Sequence, residues 1–258
     1  MRKKVAILLS GLARYDDRNF EFLKNLFQDY DFKIISSLWT NQSDYEQFKK
    51  TYFVDEIKLI KQNDWSQEIS KIKYVFGEEN RSYKLENIFH MWHSISENIK
   101  FLEEYCDKNL LSFDYVCRFR GDLFSESKKI DISKNINKLN DNEIIFPENF
   151  HNRGLNDMFF IANFKTFIKI KNCLEDLKIF ISQLRPLSSE YFFYHLVRSN
   201  SLKIKIIKNF NVDLYGVENK SHKNYELKPT KKAFIPLIDK FHLKYIKYRL
   251  RILKKFNL

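Results

Sequence analysis

The stretch Val5-Ala6-Ile7-Leu8-Leu9-Ser10-Gly11 lies near the start of the chain and decides the fold class. Five consecutive apolar residues followed by two turn-forming residues are typical of a strand that is buried on both faces of a parallel sheet. The spacing of apolar residues then predicts a helix over 20–27, and a second strand is predicted over 32–38. This order indicates an α/β protein with a mostly parallel sheet flanked by helices.

The rest of the chain continues the alternation of strands and helices. Between 84 and 105, apolar residues recur at intervals of three and four, which predicts a long amphipathic helix. A further strand is predicted after it, over 115–119. We expect one domain, 1–230, followed by a basic helical tail, 231–258. The same patterns predict helices over 44–53, 164–184 and 188–197 and strands over 56–60, 143–146 and 158–162.

Composition excludes several classes of protein. The 258 residues are 44% hydrophobic with only 5 Gly and 4 Pro, so a disordered, collagen-like or linker-rich chain is excluded. Cys106, Cys117 and Cys173 are an odd number without a CxxC spacing, which predicts neither a disulfide framework nor a structural zinc site. No stretch of the sequence approaches the roughly 18 apolar residues of a membrane span. We therefore expect a cytoplasmic protein.

Positive charge is concentrated at the end of the sequence. The formal charge is +12, and residues 231–258 hold nine basic residues against one acid. The first 230 residues are left with a net charge of only +4, so nucleic acid is not an expected partner. Apolar and aromatic residues are interleaved with the basic ones in the tail, as in a helix that lies on an anionic membrane surface. A packed helix with a solvated basic face is an equal alternative.

A charged cluster follows the predicted strand over 115–119, within the segment Phe113-Asp114-Tyr115-Val116-Cys117-Arg118-Phe119-Arg120-Gly121-Asp122-Leu123. Ligands of open α/β sheets bind outside the carboxyl ends of strands. Arg118 and Arg120 lie two residues apart, so we expect both on one face, where they can bind an anionic diphosphate. Asp122 can hold a divalent cation, Mn²⁺ or Mg²⁺, that would neutralise the same diphosphate. The alternative is that the arginines pair with carboxylates around the rim of the sheet.

Two further groups of residues are candidates for a nucleotide site and an acceptor site. Ser10, Gly11 and Arg14 form the turn after the first strand, where the glycine permits close backbone approach and the arginine can reach a phosphate. Asp157 precedes a predicted strand and Glu190 opens a predicted helix, and either can take a proton from an acceptor hydroxyl. The alternatives are a solvent-exposed Arg14, an Asp157 that caps a turn, and a Glu190 that interacts with the helix dipole.

Taken in order, segments of the chain resemble bacterial glycosyltransferases of the GT-A type from capsule and lipopolysaccharide biosynthesis clusters. The ordered match runs over about residues 5–200, and the order is more specific than any single motif. The matching segments are Ser10-Gly11-Leu12-Ala13-Arg14, Met91-Trp92-His93-Ser94, the segment over 113–123, Asn156-Asp157-Met158-Phe159-Phe160, and Glu190.

This resemblance implies a GT-A-like (Rossmann-like) domain that transfers a sugar from a nucleotide-diphosphate donor to a capsule or lipopolysaccharide glycan, free or lipid-linked. The chain departs from the DXD signature of the family, because Arg120 stands where an acid is needed, and a metal then depends on Asp122. The arginines can instead neutralise the diphosphate themselves. The residues implied are Ser10, Gly11, Arg14, Arg118, Arg120 and Asp122 for the donor and Asp157 and Glu190 for catalysis.

Two other kinds of function fit the sequence. One is a nucleotidyl or sugar-phosphate transferase, which needs a similar diphosphate site. The other is a basic module that binds a membrane or nucleic acid through 231–258. For the glycosyltransferase, the tail predicts peripheral attachment at the inner face of the inner membrane.

Overall fold

The computed structural model describes most of the first 214 residues of the chain. The described residues are 2–15, 17–40, 44–72, 85–124, 131–148, 154–183, 185, 187–208, 210 and 212–214. They all lie within one compact unit, Met1–Tyr215. The predicted basic tail at 231–258 lies outside the described residues.

Strands and helices alternate along the described part of the chain, as predicted. None of the helices there has the length and apolar character needed to cross a membrane. The strands are β1 (Lys4–Gly11), β2 (Asp31–Trp39), β3 (Glu56–Ile60), β4 (Tyr115–Phe119), β5 (Leu123–Phe124), β6 (Glu143–Phe146), β7 (Phe159–Asn163), β8 (Lys203–Ile206) and β9 (Asp213–Leu214). The helices are α1 (Asp17–Leu26), α2 (Tyr45–Tyr52), α3 (Ser66–Ser70), α4 (Leu85–Asn109), α5 (Ser133–Ile136), α6 (Phe164–Ile168), α7 (Cys173–Ser182) and α8 (Ser189–Ser199).

A seven-stranded sheet has the order β3-β2-β1-β4-β7-β6-β8, and β5 pairs with β9 in a small second sheet. β1 pairs in parallel with β2 and β4, and β2 pairs in parallel with β3. β7 is antiparallel to its neighbours β4 and β6, whereas β6 and β8 are parallel. The predicted α/β fold with a mostly parallel sheet is therefore confirmed. Because β7 is reversed, its amino end lies at the same edge as the carboxyl ends of β1 and β4.

β1 lies at the centre of the hydrophobic core. Its apolar run is at most 1% exposed, which confirms the predicted burial on both faces. On one face, Val5, Ile7 and Leu9 belong to a hydrophobic cluster that includes Leu23 of α1. On the other face α4 packs across β1, and the Asn98 amide of α4 donates to the carbonyl oxygen of Leu9 at 2.8 Å. This buried hydrogen bond fixes the position of α4 on the sheet.

The single helix predicted over 164–184 is wrong. The structure has two helices there, α6 and α7, joined by a turn. The hydroxyl of Ser96 in α4 donates to the carbonyl oxygen of Lys171 at 2.5 Å, so another element captures this carbonyl. Just before the turn, the amide of Lys169 donates to the carbonyl oxygen of Thr166, a tighter 3₁₀-type bond. The apolar spacing continues through the turn, and for this reason it predicted one helix.

Candidate functional site

Two loops at the carboxyl ends of β1 and β4 touch through their backbones. A Cβ atom added to Gly121 would lie 2.4 Å from the carbonyl oxygen of Arg14, so only glycine permits this approach. The carbonyl oxygen of Gly121 accepts hydrogen bonds from the Tyr52 hydroxyl at 2.5 Å and from the Asn19 amide at 2.9 Å. These bonds to α2 and α1 fix the loop after β4 against the loop after β1.

This contact brings Arg14, Arg120 and Asp122 together. The Nε atom of Arg14 lies 3.3 Å from Oδ2 of Asp122, and Nη2 of Arg120 donates to the same oxygen at 3.1 Å. Nε of Arg120 lies 2.7 Å from Oδ1 of Asp122 and forms an ion pair with it, although the geometry does not meet the angle of a hydrogen bond. One carboxylate thus lies between two guanidinium groups at the rim of the sheet. This is the pairing that the sequence left as an alternative, and it leaves the cluster with an excess of positive charge.

Arg118 is the buried member of the cluster, with 3% of its surface exposed. Its Nη1 atom donates to the carbonyl oxygen of Phe119 at 3.0 Å and to that of Leu8 at 3.5 Å. Its Nε atom is buried and has no hydrogen-bond partner among the residues that the structure describes. The pKa of Arg118 is lowered to about 10, mainly by burial and also by the positive charge of Arg120, whereas the negative charge of Asp157 opposes the shift. A buried cation with an unused N–H group is suited to an anionic ligand.

Arg14, in the loop after β1, also has a lowered pKa, although its side chain is more exposed than that of Arg118. Burial lowers the pKa of Arg14, the nearby charge of Arg120 acts in the same direction, and Asp122 opposes both. Positive charges that destabilise one another are relieved by a bound anion. Arg120 thus lies close enough to both Arg14 and Arg118 to disfavour their charges, and the three arginines form one cationic cluster at this edge of the sheet.

The residues around Asp122 do not fit a divalent cation in this arrangement. Both carboxylate oxygens of Asp122 already contact guanidinium groups. Within the described residues, no group of three or more His, Cys, Asp or Glu side chains comes close enough to hold a metal ion. A hard cation such as Mg²⁺ or Mn²⁺ needs several oxygen ligands, and Asp122 alone does not provide them.

The turn after β1 is backed by α4. Gly11 has φ of +92°, a left-handed conformation that favours glycine, and its missing Cβ would lie 3.4 Å from Oγ of Ser94 and 3.6 Å from Nε1 of Trp39. Oγ of Ser94 also lies 3.4 Å from Oγ of Ser10. The Met-x-x-Ser segment of α4 and the Ser-Gly turn thus meet at the edge of the sheet, beside the buried indole of Trp39 at the end of β2.

Asp157 lies just before β7, and its carboxylate is not used to cap the turn there, because the side chain of Asn156 does so. The side-chain oxygen of Asn156 accepts hydrogen bonds from the amides of Met158 at 2.9 Å and Phe159 at 3.1 Å. The capping role that the sequence left open for Asp157 therefore belongs to Asn156. Asp157 is 6% exposed, and its Oδ2 atom accepts a hydrogen bond from the Ser189 hydroxyl at the start of α8.

Glu190 follows in the first turn of α8. Ser188 is the N-cap of this helix, and its hydroxyl accepts from the amide of Tyr191 at 3.1 Å. The carbonyl oxygen of Glu190 accepts from the amide of Leu155 at 3.0 Å, and a Cβ on Gly154 would lie 2.0 Å from that oxygen. This close approach brings Asp157 beside α8. Glu190 is 6% exposed and occupies a first-turn position that favours an acid through the helix dipole.

The sequence missed Trp92 and Ser189 as members of the site. Nε1 of Trp92, in α4, donates to Oγ of Ser189 at 3.1 Å. Trp92 lies on the apolar face of α4, a position typical of a core residue, and its ring is fully buried. A tryptophan with a buried N–H group needs an acceptor, and this requirement is the signal that could have indicated a polar partner.

Two surface depressions lie on the α2 side of the molecule. One, of about 390 Å³, is lined by Tyr15, Asp17 and Arg18 together with Gln47 and Thr51 of α2, and it adjoins Arg14 along the chain. The other, of about 700 Å³, is formed by α2 and the residues after it. Neither is lined by Arg118 or Asp157, so we define the site by its charged cluster rather than by these depressions.

Comparisons with known proteins reveal only distant similarity. No protein-family model and no curated protein matches the chain. Among solved structures, the chain is similar to the glycosyltransferase GlyE of Streptococcus pneumoniae TIGR4, with 13% identity and a TM-score of 0.41 over 81% of this chain and 46% of that one. It is also similar to a protein of Desulfovibrio desulfuricans G20 assigned as a nucleotide-diphospho-sugar transferase, with 12% identity and a TM-score of 0.39 over 80% of each chain. The chain thus spans about half the length of the first of these proteins.

Proposed function

We propose that the protein is a glycosyltransferase that moves a sugar from a nucleoside diphosphate donor to a hydroxyl group of a glycan. The observation that carries this proposal is the buried guanidinium of Arg118, with an unused Nε–H group, beside Arg14 and Arg120 at the carboxyl ends of β1 and β4. A diphosphate is an anion of suitable charge for three arginines.

The arginine cluster would act most strongly on the leaving group. When the bond between the sugar and the diphosphate breaks, negative charge increases on the diphosphate oxygen. Guanidinium groups that are already in place stabilise this charge without reorganisation, and partial exclusion of water strengthens the effect. Asp122 would hold Arg14 and Arg120 together before the donor binds, through the ion pairs described above, and its negative charge would compete with the diphosphate for them.

The neighbouring residues suit the other parts of such a donor. Ser10 and Gly11 would lie against the nucleotide, since the glycine turn allows close approach of the backbone. The depression lined by Tyr15 offers a half-exposed aromatic ring next to Arg14, which suits a nucleoside. Asp157 and Glu190, on the opposite part of the same edge, would lie on the acceptor side.

The nature of the acceptor rests on the sequence alone. The resemblance to capsule and lipopolysaccharide enzymes favours a surface glycan, and the basic tail at 231–258 favours a lipid-linked acceptor at an anionic membrane. A vesicle co-sedimentation assay of the full chain and of a chain shortened at 230, with neutral and anionic lipids, tests the role of the tail. Salt-sensitive binding of the full chain to anionic vesicles alone is the expected result.

The first experiment is a screen of the purified protein against UDP-, GDP-, dTDP- and CMP-sugars, with Mn²⁺, with Mg²⁺ or with EDTA. We expect one nucleoside diphosphate class to raise the melting temperature and to be turned over slowly to free nucleoside diphosphate, also in EDTA. Arg118→Met should abolish both effects, and Arg198→Met, at an exposed position of α8, should abolish neither.

Each other outcome would change the assignment. Release of pyrophosphate instead of nucleoside diphosphate would indicate nucleotidyl transfer. Preference for CMP-sugars alone would contradict a diphosphate site. Strict dependence on Mn²⁺ or Mg²⁺ would show that a cation, and not the arginines alone, neutralises the leaving group. Absence of binding to every nucleotide would overturn the proposed function.

A further inference from the structure

A chain of two hydrogen bonds ends on the carboxylate of Asp157. The Trp92 indole Nε1 donates to Oγ of Ser189 at 3.1 Å, and Oγ of Ser189 donates to Oδ2 of Asp157. An indole nitrogen can only donate, and a serine hydroxyl has a single proton to give. The direction of the chain is therefore fixed, and the carboxylate of Asp157 is its final acceptor.

The chain is buried and connects three separate parts of the fold. Trp92 lies in α4, Ser189 begins α8 and Asp157 precedes β7; they are 0%, 2% and 6% exposed. The Trp92 ring packs edge-on against Phe192 and Phe193, with ring centroids 4.9 Å and 5.2 Å apart. Packing of this kind leaves the indole N–H group no freedom to turn away. The orientation of Ser189, and through it that of Asp157, is thus imposed by the core.

Only one oxygen of Asp157 is used in this way. Within the described part of the chain, Oδ1 accepts no hydrogen bond, whereas Oδ2 is held by Ser189. The positive charge of the buried Arg118 lies close enough to interact with the carboxylate. Asp157 therefore has one anchored oxygen and one oxygen left for another donor, next to the cationic cluster.

Glu190 has a different environment from Asp157, although both are buried. It follows Ser189 in the first turn of α8, and its backbone carbonyl receives the amide of Leu155. Its position is accounted for by helix formation and by the close contact with Gly154. For Asp157, in contrast, the structure shows a hydrogen-bond chain that orients the carboxylate itself.

We propose that Ser189 and Trp92 are positioning residues that hold the carboxylate of Asp157 towards the acceptor hydroxyl; this inference rests on the proposed function. In the transfer step, Oδ1 of Asp157 takes the proton of the acceptor hydroxyl while that oxygen bonds to the anomeric carbon of the sugar. The bond from the anomeric carbon to the diphosphate oxygen breaks, and its electron pair leaves on the diphosphate beside Arg118. Glu190 has no part in this proton transfer.

The test compares Ser189→Ala with Ser189→Thr, which keeps the hydroxyl, and with Ser188→Ala as a matched control. Ser188→Ala removes the neighbouring cap of α8 and touches no part of the chain to Asp157. We expect Ser189→Ala to lower kcat about 10- to 100-fold with the donor KM within about twofold of wild type, since a misplaced base slows the chemical step. Ser189→Thr should recover most of this loss. Ser188→Ala should lower the melting temperature and leave kcat within about twofold of wild type.

A double-mutant cycle with Asp157→Asn separates positioning from general structural damage. If Ser189 acts through Asp157, Ser189→Ala should change kcat less than about twofold in the Asp157→Asn background. Trp92→Phe, which keeps a smaller aromatic ring in the core and removes the N–H group, should also lower kcat, by a smaller factor than Ser189→Ala.

The outcomes distinguish this inference from the proposed function. A wild-type enzyme that turns over a nucleotide-sugar, with Ser189→Ala as active as Ser188→Ala, would overturn the inference and leave the function standing. Equal losses from Ser189→Ala in the wild-type and Asp157→Asn backgrounds would overturn it as well. A wild-type protein that turns over no nucleotide-sugar would overturn both.

Discussion

Replacing Arg118 by methionine should separate binding from stability. The substitution Arg118→Met keeps an unbranched side chain in the core and removes the buried positive charge. Burial, helped by the positive charge of Arg120, lowers the pKa of Arg118 from its ordinary value to about 10. Each unit corresponds to about 1.4 kcal/mol, so the charged side chain costs the folded state about 3 kcal/mol. Because the pKa is lowered in the folded state, this cost is complete below about pH 10 and disappears only as the pH rises through the ordinary value.

Two hydrogen bonds offset this cost. Arg118 donates to the carbonyl oxygens of Phe119 and Leu8, the second at the long distance of 3.5 Å. Charge-assisted bonds of this kind contribute about 1.5–3 kcal/mol when well formed. The two effects nearly cancel, and we expect Arg118→Met to unfold with a free energy within about 2 kcal/mol of wild type, a change of about 8 °C or less in melting temperature.

Binding of the donor should respond much more strongly. Loss of a charge-assisted bond to phosphate removes about 1.5–3 kcal/mol of binding free energy, which is about a 10- to 100-fold rise in the Kd of a nucleoside diphosphate. Isothermal titration calorimetry measures this Kd, and thermal unfolding of the same samples measures stability. Wild-type affinity in Arg118→Met would refute the assignment of Arg118 to the diphosphate. A loss of more than about 10 °C would refute the estimate of the cost of burial.

Three further predictions concern the cluster and its surroundings. Asp122→Asn should leave the Kd of the nucleoside diphosphate unchanged or lower it up to tenfold, because the substitution removes a negative charge that competes for Arg14. A tenfold higher Kd, measured by the same calorimetry, would instead support Asp122 as a metal ligand. Gly121→Ala should lower the melting temperature by several degrees, the equivalent of about 1–3 kcal/mol, because the new Cβ would lie 2.4 Å from the carbonyl oxygen of Arg14. An unchanged melting temperature would show that the two loops can separate freely. Burial lowers the pKa of His93. Below about pH 6.5 the unfolded chain therefore binds a proton at this histidine that the native state does not bind, and the free energy of unfolding falls as the pH drops. Denaturant unfolding between pH 5 and 8 should show a shallower pH slope for His93→Gln than for wild type, and equal slopes would contradict the assignment.

The sequence was sufficient for those parts of the fold that depend on local patterns. The apolar run of β1 and the three-and-four spacing of α4 each express burial within one element, and both elements were placed correctly. The charged cluster after β4 was also expected at the edge of the sheet, since strand direction alone determines that edge.

The parts that the sequence did not predict depend on contacts between distant segments. The hydrogen bond from Trp92 to Ser189 joins residues 97 positions apart, and nothing in the local pattern around either residue indicates it. The contact between Gly121 and the Arg14 carbonyl is of the same kind. The break between α6 and α7 follows from the capture of the Lys171 carbonyl by Ser96, again from a different helix.

The reversed direction of β7 affects how the site can change over time. β6 ends, and β7 begins, at the edge that holds the arginine cluster. The loops after β1 and β4 are tied to each other through Gly121. Under the proposed function, insertions or exchanges within 147–158 could alter the choice of acceptor while donor recognition is preserved. The two halves of the specificity would then evolve, or be engineered, independently on one scaffold.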